Sequence, residues 1–145
     1  MGFFKSMNIS ASGMTAQRLR MDLIAENVAN VSTTRTATGQ TYKRKIAVFE
    51  QRGETSFSKY LNESIDKPAG NGVRVKEIIE DTAPFKLVYD PTNPDAKEGG
   101  YVQLPNVDTA KEMIDMISAS RAYEANVTTF NAFKNLAMKA LEIGK

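Results

Sequence analysis

Residues 106–143 read NVDTAKEMIDMISASRAYEANVTTFNAFKNLAMKALEI, with no glycine and no proline. An uninterrupted helix over this stretch is roughly 55 Å long at about 1.5 Å per residue. A compact globule of 145 residues is only about 38 Å across. The sequence therefore predicts a helix too long to bury itself within its own monomer. It protrudes, or it packs along another chain, as expected of a subunit in an elongated assembly.

Within this stretch the apolar residues recur every seven positions. Met113, Ser120, Val127, Lys134 and Leu141 form one column, and Met116, Tyr123, Phe130 and Ala137 form the other. Apolar side chains dominate both columns, as a coiled-coil seam requires. A second apolar face arises late, from Phe133, Leu136, Ala140 and Ile143, so this end is expected to meet more than one partner. Asp115, Arg121, Glu124 and Lys139 lie off the seam and are expected to stay in water. Asn106 or Asp108 is positioned to cap the helix, and Thr109 with Glu112 has capping-box spacing.

A second glycine- and proline-free stretch covers residues 14–38. It predicts a helix over about residues 8–31, with Ser10 or Ser12 as its cap. Met14, Met21 and Val28 make one column, and Gln17, Ile24 and Val31 the other, with Gln17 a polar interruption. Leu19 and Leu23 add a strip beside it.

All five prolines lie between the two helices. Residues 42–49 and 73–79 have the β-branched and aromatic content of strands, with Asn71-Gly72 as a turn before the second. Residues 85–89 make a third short strand, and residues 90–105 read as turns. Between residues 51 and 72 the pattern is weak, with Phe57, Tyr60, Leu61 and Ile65 as candidate anchors; this loop is expected to order on contact with neighbours. The expected fold is mainly α with a small β-rich middle module. Its divisions are residues 1–31, 32–105 and 106–145.

Composition excludes several functions. The net charge is +2, spread evenly along the chain, so no basic surface for a nucleic acid is expected. There is no cysteine and no histidine, which removes thiolate chemistry and the commonest metal ligand and acid–base group. No apolar run reaches the ~20 residues that span a bilayer, and residues 1–12 do not read as a cleavable secretion signal. Ser64-Ile-Asp-Lys67 matches a serine–lysine motif but lacks its companions. Met1-Gly-Phe-Phe-Lys-Ser6 matches the loose myristoylation pattern by coincidence. Asp90, Asp95 and Glu98 read as a polar turn cluster, without calcium-loop spacing. Asn8, Asn30, Asn62 and Asn126 stand in Asn-x-Ser/Thr triplets, and Asn126 falls mid-helix, where a glycan fits poorly. No enzyme, cofactor, metal or small-molecule substrate is expected.

The segments Ser10-Ala-Ser-Gly-Met-Thr-Ala-Gln-Arg-Leu-Arg-Met21 and Asn27-Val-Ala-Asn30 resemble the N-terminal segment of bacterial flagellar rod and hook proteins. Glu112-Met-Ile-Asp-Met116 and Ser118-Ala-Ser-Arg-Ala-Tyr-Glu-Ala-Asn126 resemble their C-terminal segment. Thr33-Thr-Arg35, Tyr42-Lys-Arg44, Asp90-Pro-Thr-Asn-Pro-Asp-Ala96 and Pro105-Asn-Val-Asp108 narrow the resemblance to the proximal-rod branch. Two departures are Ser32-Thr33-Thr34 where many relatives have Thr-Pro-Gly, and Asn93 where that branch often has histidine.

The resemblance implies an axial subunit of the basal-body rod, whose terminal helices pair as an inner coiled-coil layer of a tube and transmit motor torque towards the hook. It implies other rod subunits and the export-gate connector as partners, a periplasmic location, and type III export without a cleaved signal. The interface residues expected are Met14, Met21, Ile24, Val28, Val31, Met113, Met116, Tyr123, Val127, Phe130, Ala137 and Leu141. Alone, the helical ends are expected to lack a partner and to show low helix content. The competing reading is a coiled-coil adaptor or chaperone of a type III secretion system that binds without polymerising.

Overall fold

A computed structural model describes residues 2–53, 71–97 and 99–143. The order is α1 (Gly2–Ala29), β1 (Lys45–Gln51), β2 (Val73–Glu80), β3 (Lys86–Tyr89), β4 (Tyr101–Leu104) and α2 (Thr109–Ile143). Two long helices thus enclose a small β module in sequence. The candidate anchors Phe57, Tyr60, Leu61 and Ile65, the Ser64–Lys67 motif and Asn62 lie outside the described residues, as do Met1 and Glu98.

Helix α1 begins upstream of the expected start. Ser10 and Ser12 are not caps but buried interior positions. The Ser12 hydroxyl donates to Ile9 O (2.7 Å) and accepts the Val73 N–H (3.1 Å), so it tethers the helix to β2. Gly72, at φ 104°, belongs to this contact: a Cβ there would overlap the Ser12 side chain. Past Ala29 the chain leaves the helix through a tightened turn, with Val31 N–H donating to Val28 O and Thr33 N–H to Asn30 O.

Asp108 caps α2: its carboxylate accepts the N–H groups of Ala110 (3.0 Å) and Lys111 (3.5 Å). The capping box expected of Thr109 and Glu112 does not form, because the Glu112 side chain is committed elsewhere, as described below.

Strands β1 and β2 pair antiparallel, with a bulge that leaves Lys76 unpaired between the Val48–Glu77 and Phe49–Val75 partners. Strands β3 and β4 form a separate two-stranded antiparallel sheet. Strand β4 falls where turns were expected. Its four residues, flanked by Gly99-Gly100 and Pro105, are too few to show a period. Val102 on β4 is nonetheless buried, next to buried Pro105 and Val107.

The helices run antiparallel and pack on one another within a single chain, as the contacts Asn27–Glu112, Met21–Ser120 and Gly13–Asn126 show. This corrects the expectation that each helical end lacks a partner when alone. Gly13 permits the approach: a Cβ there would stand 2.7 Å from Asn126 Oδ1. Among the described residues five large apolar side chains are buried, with Ala16, Ala119 and Pro105, whereas fourteen large apolar side chains are exposed.

Candidate assembly interface and the polar hub beneath it

One buried polar cluster lies at the base of the helix pair. Asn27 on α1 is 1% exposed and Glu112 on α2 is 0% exposed. The Asn27 amide uses its full capacity. It donates to Glu112 Oε2 (3.1 Å) and to Lys45 O (2.9 Å). Its oxygen accepts the Tyr42 hydroxyl (2.9 Å) and the Lys45 N–H (2.9 Å). The other Glu112 oxygen accepts Arg44 Nε at 2.6 Å. A buried carboxylate is tolerable only with such partners.

Arg44 ties this pair to the β module. Its guanidinium also faces Asp115 (3.4 Å) and Asp81 (3.6 Å), and its backbone N–H donates to Asn106 Oδ1 (2.9 Å). Asn106 donates to the carbonyls of Asp81 and Ala83. Asp115, expected to stay in water, instead pairs with both Arg20 (3.3 Å) and Arg44. Lys45 pairs with Glu26 at the rim and lies over the Tyr42 ring, 5.8 Å from its centroid. Burial, then the Glu26 and Glu112 carboxylates, push the Tyr42 phenol up to about 12. The hub therefore joins α1, α2 and the paired strands β1 and β2 through one neutral phenol, one amide, three cations and four carboxylates.

Above the hub, α2 buries or half-buries Glu112, Met116, Ala119, Tyr123, Asn126, Phe130, Phe133 and Ala137. These follow alternating spacings of four and three, the stripe of a helix seated on another helix. Of the residues expected at subunit contacts, Ile24 is buried. Met14, Met21, Val28, Val31, Met116, Tyr123, Val127, Phe130 and Ala137 are half-buried by their own chain. Met113 (57%) and Leu141 (75%) are exposed. Of the expected column, Met113 and Leu141 thus lie outside the stripe that meets α1, whereas Ser120 touches Met21 and Val127 is half-buried.

Exposed apolar residues gather in four places: Phe4 and Ile9 near the start of α1, Met113, Ile114 and Ile117 near the start of α2, Leu136, Met138 and Leu141 near its end, and, as the last group, Ile78, Ile79, Leu87, Val88, Tyr89 and Tyr101 on the β module. The last group was not anticipated from the sequence. Strand β3 is exposed at all four positions, a pattern that strand propensity alone does not distinguish from a half-buried strand.

Among the described residues no group of three or more histidine, cysteine, aspartate or glutamate side chains could hold a metal ion. The Asp90 carboxyl is held below its usual range by the Thr92 hydroxyl and backbone N–H, as in an Asx turn. Asp95 accepts the Thr34 hydroxyl (2.6 Å), and Asn93 stabilises the same turn through the Asp95 N–H. Asn126 donates to Ala122 O and faces Gly13, inside the helix pair rather than on a loop. Among the described residues no helix is long and apolar enough to cross a membrane.

Comparison with known proteins gives a consistent result. A family model described as flagella basal body rod protein matches residues 7–35, and one described as flagellar basal body rod FlgEFG protein C-terminal matches residues 98–143. The chain is 54% identical to the flagellar basal-body rod protein FlgC of Bacillus subtilis, covering 98% of each chain. It is 48% identical to that of Borreliella burgdorferi (99% of this chain, 98% of the other). It is 38% identical to that of Escherichia coli over the full length of both.

Proposed function

Since the chain belongs to the FlgC family of flagellar basal-body rod proteins, we propose that it enters the rod through the faces that its own fold leaves uncovered. It is a structural rod subunit, not an enzyme, and its partners are other components of the rod. The adaptor reading is not favoured. In the finer picture, residues 1–31 and 106–145 form an inner coiled-coil layer of the proximal rod, and residues 32–105 an outer one. The export-gate connector adjoins it, the rod carries torque towards the hook, and the subunit reaches the periplasm by type III export. Full-length likeness to proteins named FlgC supports this placement.

The observation that carries the assembly reading is the imbalance between five buried and fourteen exposed large apolar side chains among the described residues. Surface apolar patches of this extent mark interaction sites. Burying Met113, Ile114, Ile117, Leu136, Met138 and Leu141 against neighbours contributes on the order of 10 kcal/mol gross. Ordering costs consume part of this gain, so many contacts must act together. The twelve expected interface residues divide accordingly. Met113 and Leu141 face neighbours, and the half-buried Met14, Met21, Val28, Val31, Met116, Tyr123, Val127, Phe130 and Ala137 contribute their open edges. Ile24 supports them from beneath.

The test is Met113→Asp and Leu141→Asp, made separately in a flagellated host that depends on this chain. Both side chains are exposed, so the purified variants keep the parent's helix content. Rod formation and swimming are expected to fail in both. Normal rods in both variants would sink the reading.

A further inference from the structure

We propose that the Asn27–Arg44–Glu112 cluster sets the axial register of α1 against α2, and that the apolar residues between the helices do not. This concerns pairing within one chain and holds whether or not the outer faces carry assembly.

Apart from the close Gly13–Asn126 approach, the pattern between the helices is degenerate. On α1, Met7, Met14, Met21 and Val28 repeat every seven residues, and on α2 so do Met116, Tyr123, Phe130 and Ala137. In the structure Met21 lies against Ser120. A slip of one heptad, about 10 Å along the axis, sets Met21 opposite Val127 or Met113, apolar residues that accept a methionine at least as readily as Ser120 does. Packing of mid-sized side chains discriminates weakly between such alternatives.

The hub has no such repeat. Slipped one way, Asn27 comes opposite Ala119; slipped the other way, it comes opposite Pro105, ahead of α2. Either slip breaks the Asn27–Glu112 bond, while Arg44, held by Asn106 just ahead of α2 and by the Asp81 N–H, stays beside Glu112. A carboxylate with 0% exposure and an amide with 1% exposure then lose their mutual bond. A single buried polar pairing within an apolar seam is the best-attested device for specifying register.

The chain has no cysteine, so engineered pairs report register cleanly. Met21→Cys with Ser120→Cys reports the native register. Met21→Cys with Val127→Cys, or with Met113→Cys, reports a slip. Each pair is placed in the purified full-length chain, with the native hub and with Asn27→Leu, Arg44→Met and Glu112→Leu together, and oxidised under identical conditions. With the native hub, bridging within one chain is expected at the native pair alone. In the apolar-hub chain, bridging at the slipped pairs is expected to rise at least about tenfold while helix content persists. Bridging that stays confined to the native pair in a helical apolar-hub chain would overturn the proposal. Should that triple variant not fold, Asn27→Ala alone, which keeps the Arg44–Glu112 pair, decides: a rise at the slipped pairs supports the proposal and an unchanged pattern refutes it. A merely stabilising hub would lower the melting temperature without moving the bridges.

Discussion

Replacing Glu112 with alanine removes the acceptor at the centre of the hub and is expected to destabilise the chain by about 3 kcal/mol. The magnitude follows from what is left behind. Two hydrogen bonds disappear, the short one from Arg44 Nε and the longer one from Asn27 Nδ2. Breaking a buried ion pair costs about 3–5 kcal/mol when the surviving charge is stranded. Arg44 is not wholly stranded: it is 13% exposed and keeps Asp115 and Asp81 at 3.4 and 3.6 Å. Asn27 keeps both Lys45 contacts. The lower end of that range therefore applies. Urea unfolding followed by far-ultraviolet circular dichroism measures the loss, and the melting temperature is expected to fall by about 10 °C. Asp115→Ala is the control. Its carboxylate is 28% exposed, so solvent screens its pairs and the loss is expected to be about 0.5–1 kcal/mol. Equal losses for the two variants, or a Glu112 loss below about 1 kcal/mol, would refute the reasoning that burial makes this carboxylate decisive.

Three further outcomes are expected. Gly13→Ala gains about 1 kcal/mol of helix propensity yet is expected to lower stability in urea unfolding, because the new methyl meets the Asn126 amide. Adding Asn126→Ala is expected to restore it. Asp108→Ala is expected to cost about 1 kcal/mol in the same assay, because Ala110 and Lys111 lose their acceptor. Raising the pH exposes the Tyr42 contribution. Its folded value of about 12 lies above the ordinary 10.0, so the stabilisation is complete below pH 10 and is lost as pH rises through 12. The difference amounts to about 2–3 kcal/mol. Tyr42→Phe is expected to remove that dependence, and a parent and a Tyr42→Phe chain that lose stability alike as pH rises from 10 would contradict it.

The helices were legible in the sequence because each is a long run without glycine or proline and with a seven-residue repeat. Their partners were less so. A heptad stripe says that a helix is covered, not whether its own chain or another covers it. The half-burial of Met116, Tyr123 and Phe130 within the single chain is therefore a structural finding. Ser10 and Ser12 were misread as caps because a serine on an apolar face and a serine at a helix start look alike from composition. The hub was invisible because Asn27, Arg44 and Glu112 are far apart in sequence and join only when three elements meet. A faint signal existed: Glu112, Ala119, Asn126 and Phe133 share one column, and a carboxylate in such a column invites a buried partner. The exposed β3 was hidden because its four residues look like any strand, and only the absence of a covering layer in the single chain sets it apart.

A side-chain-resolved image of the assembled rod tests the central claim most directly, which is that a hub-braced helix pair presents uncovered apolar faces to its neighbours. Met113, Ile114, Ile117 and Leu141 are expected against side chains of adjacent subunits, with Asn27, Arg44 and Glu112 joined within each copy. Finding those apolar side chains facing the channel or the surrounding solvent, or the hub opened and re-paired between copies, would contradict it.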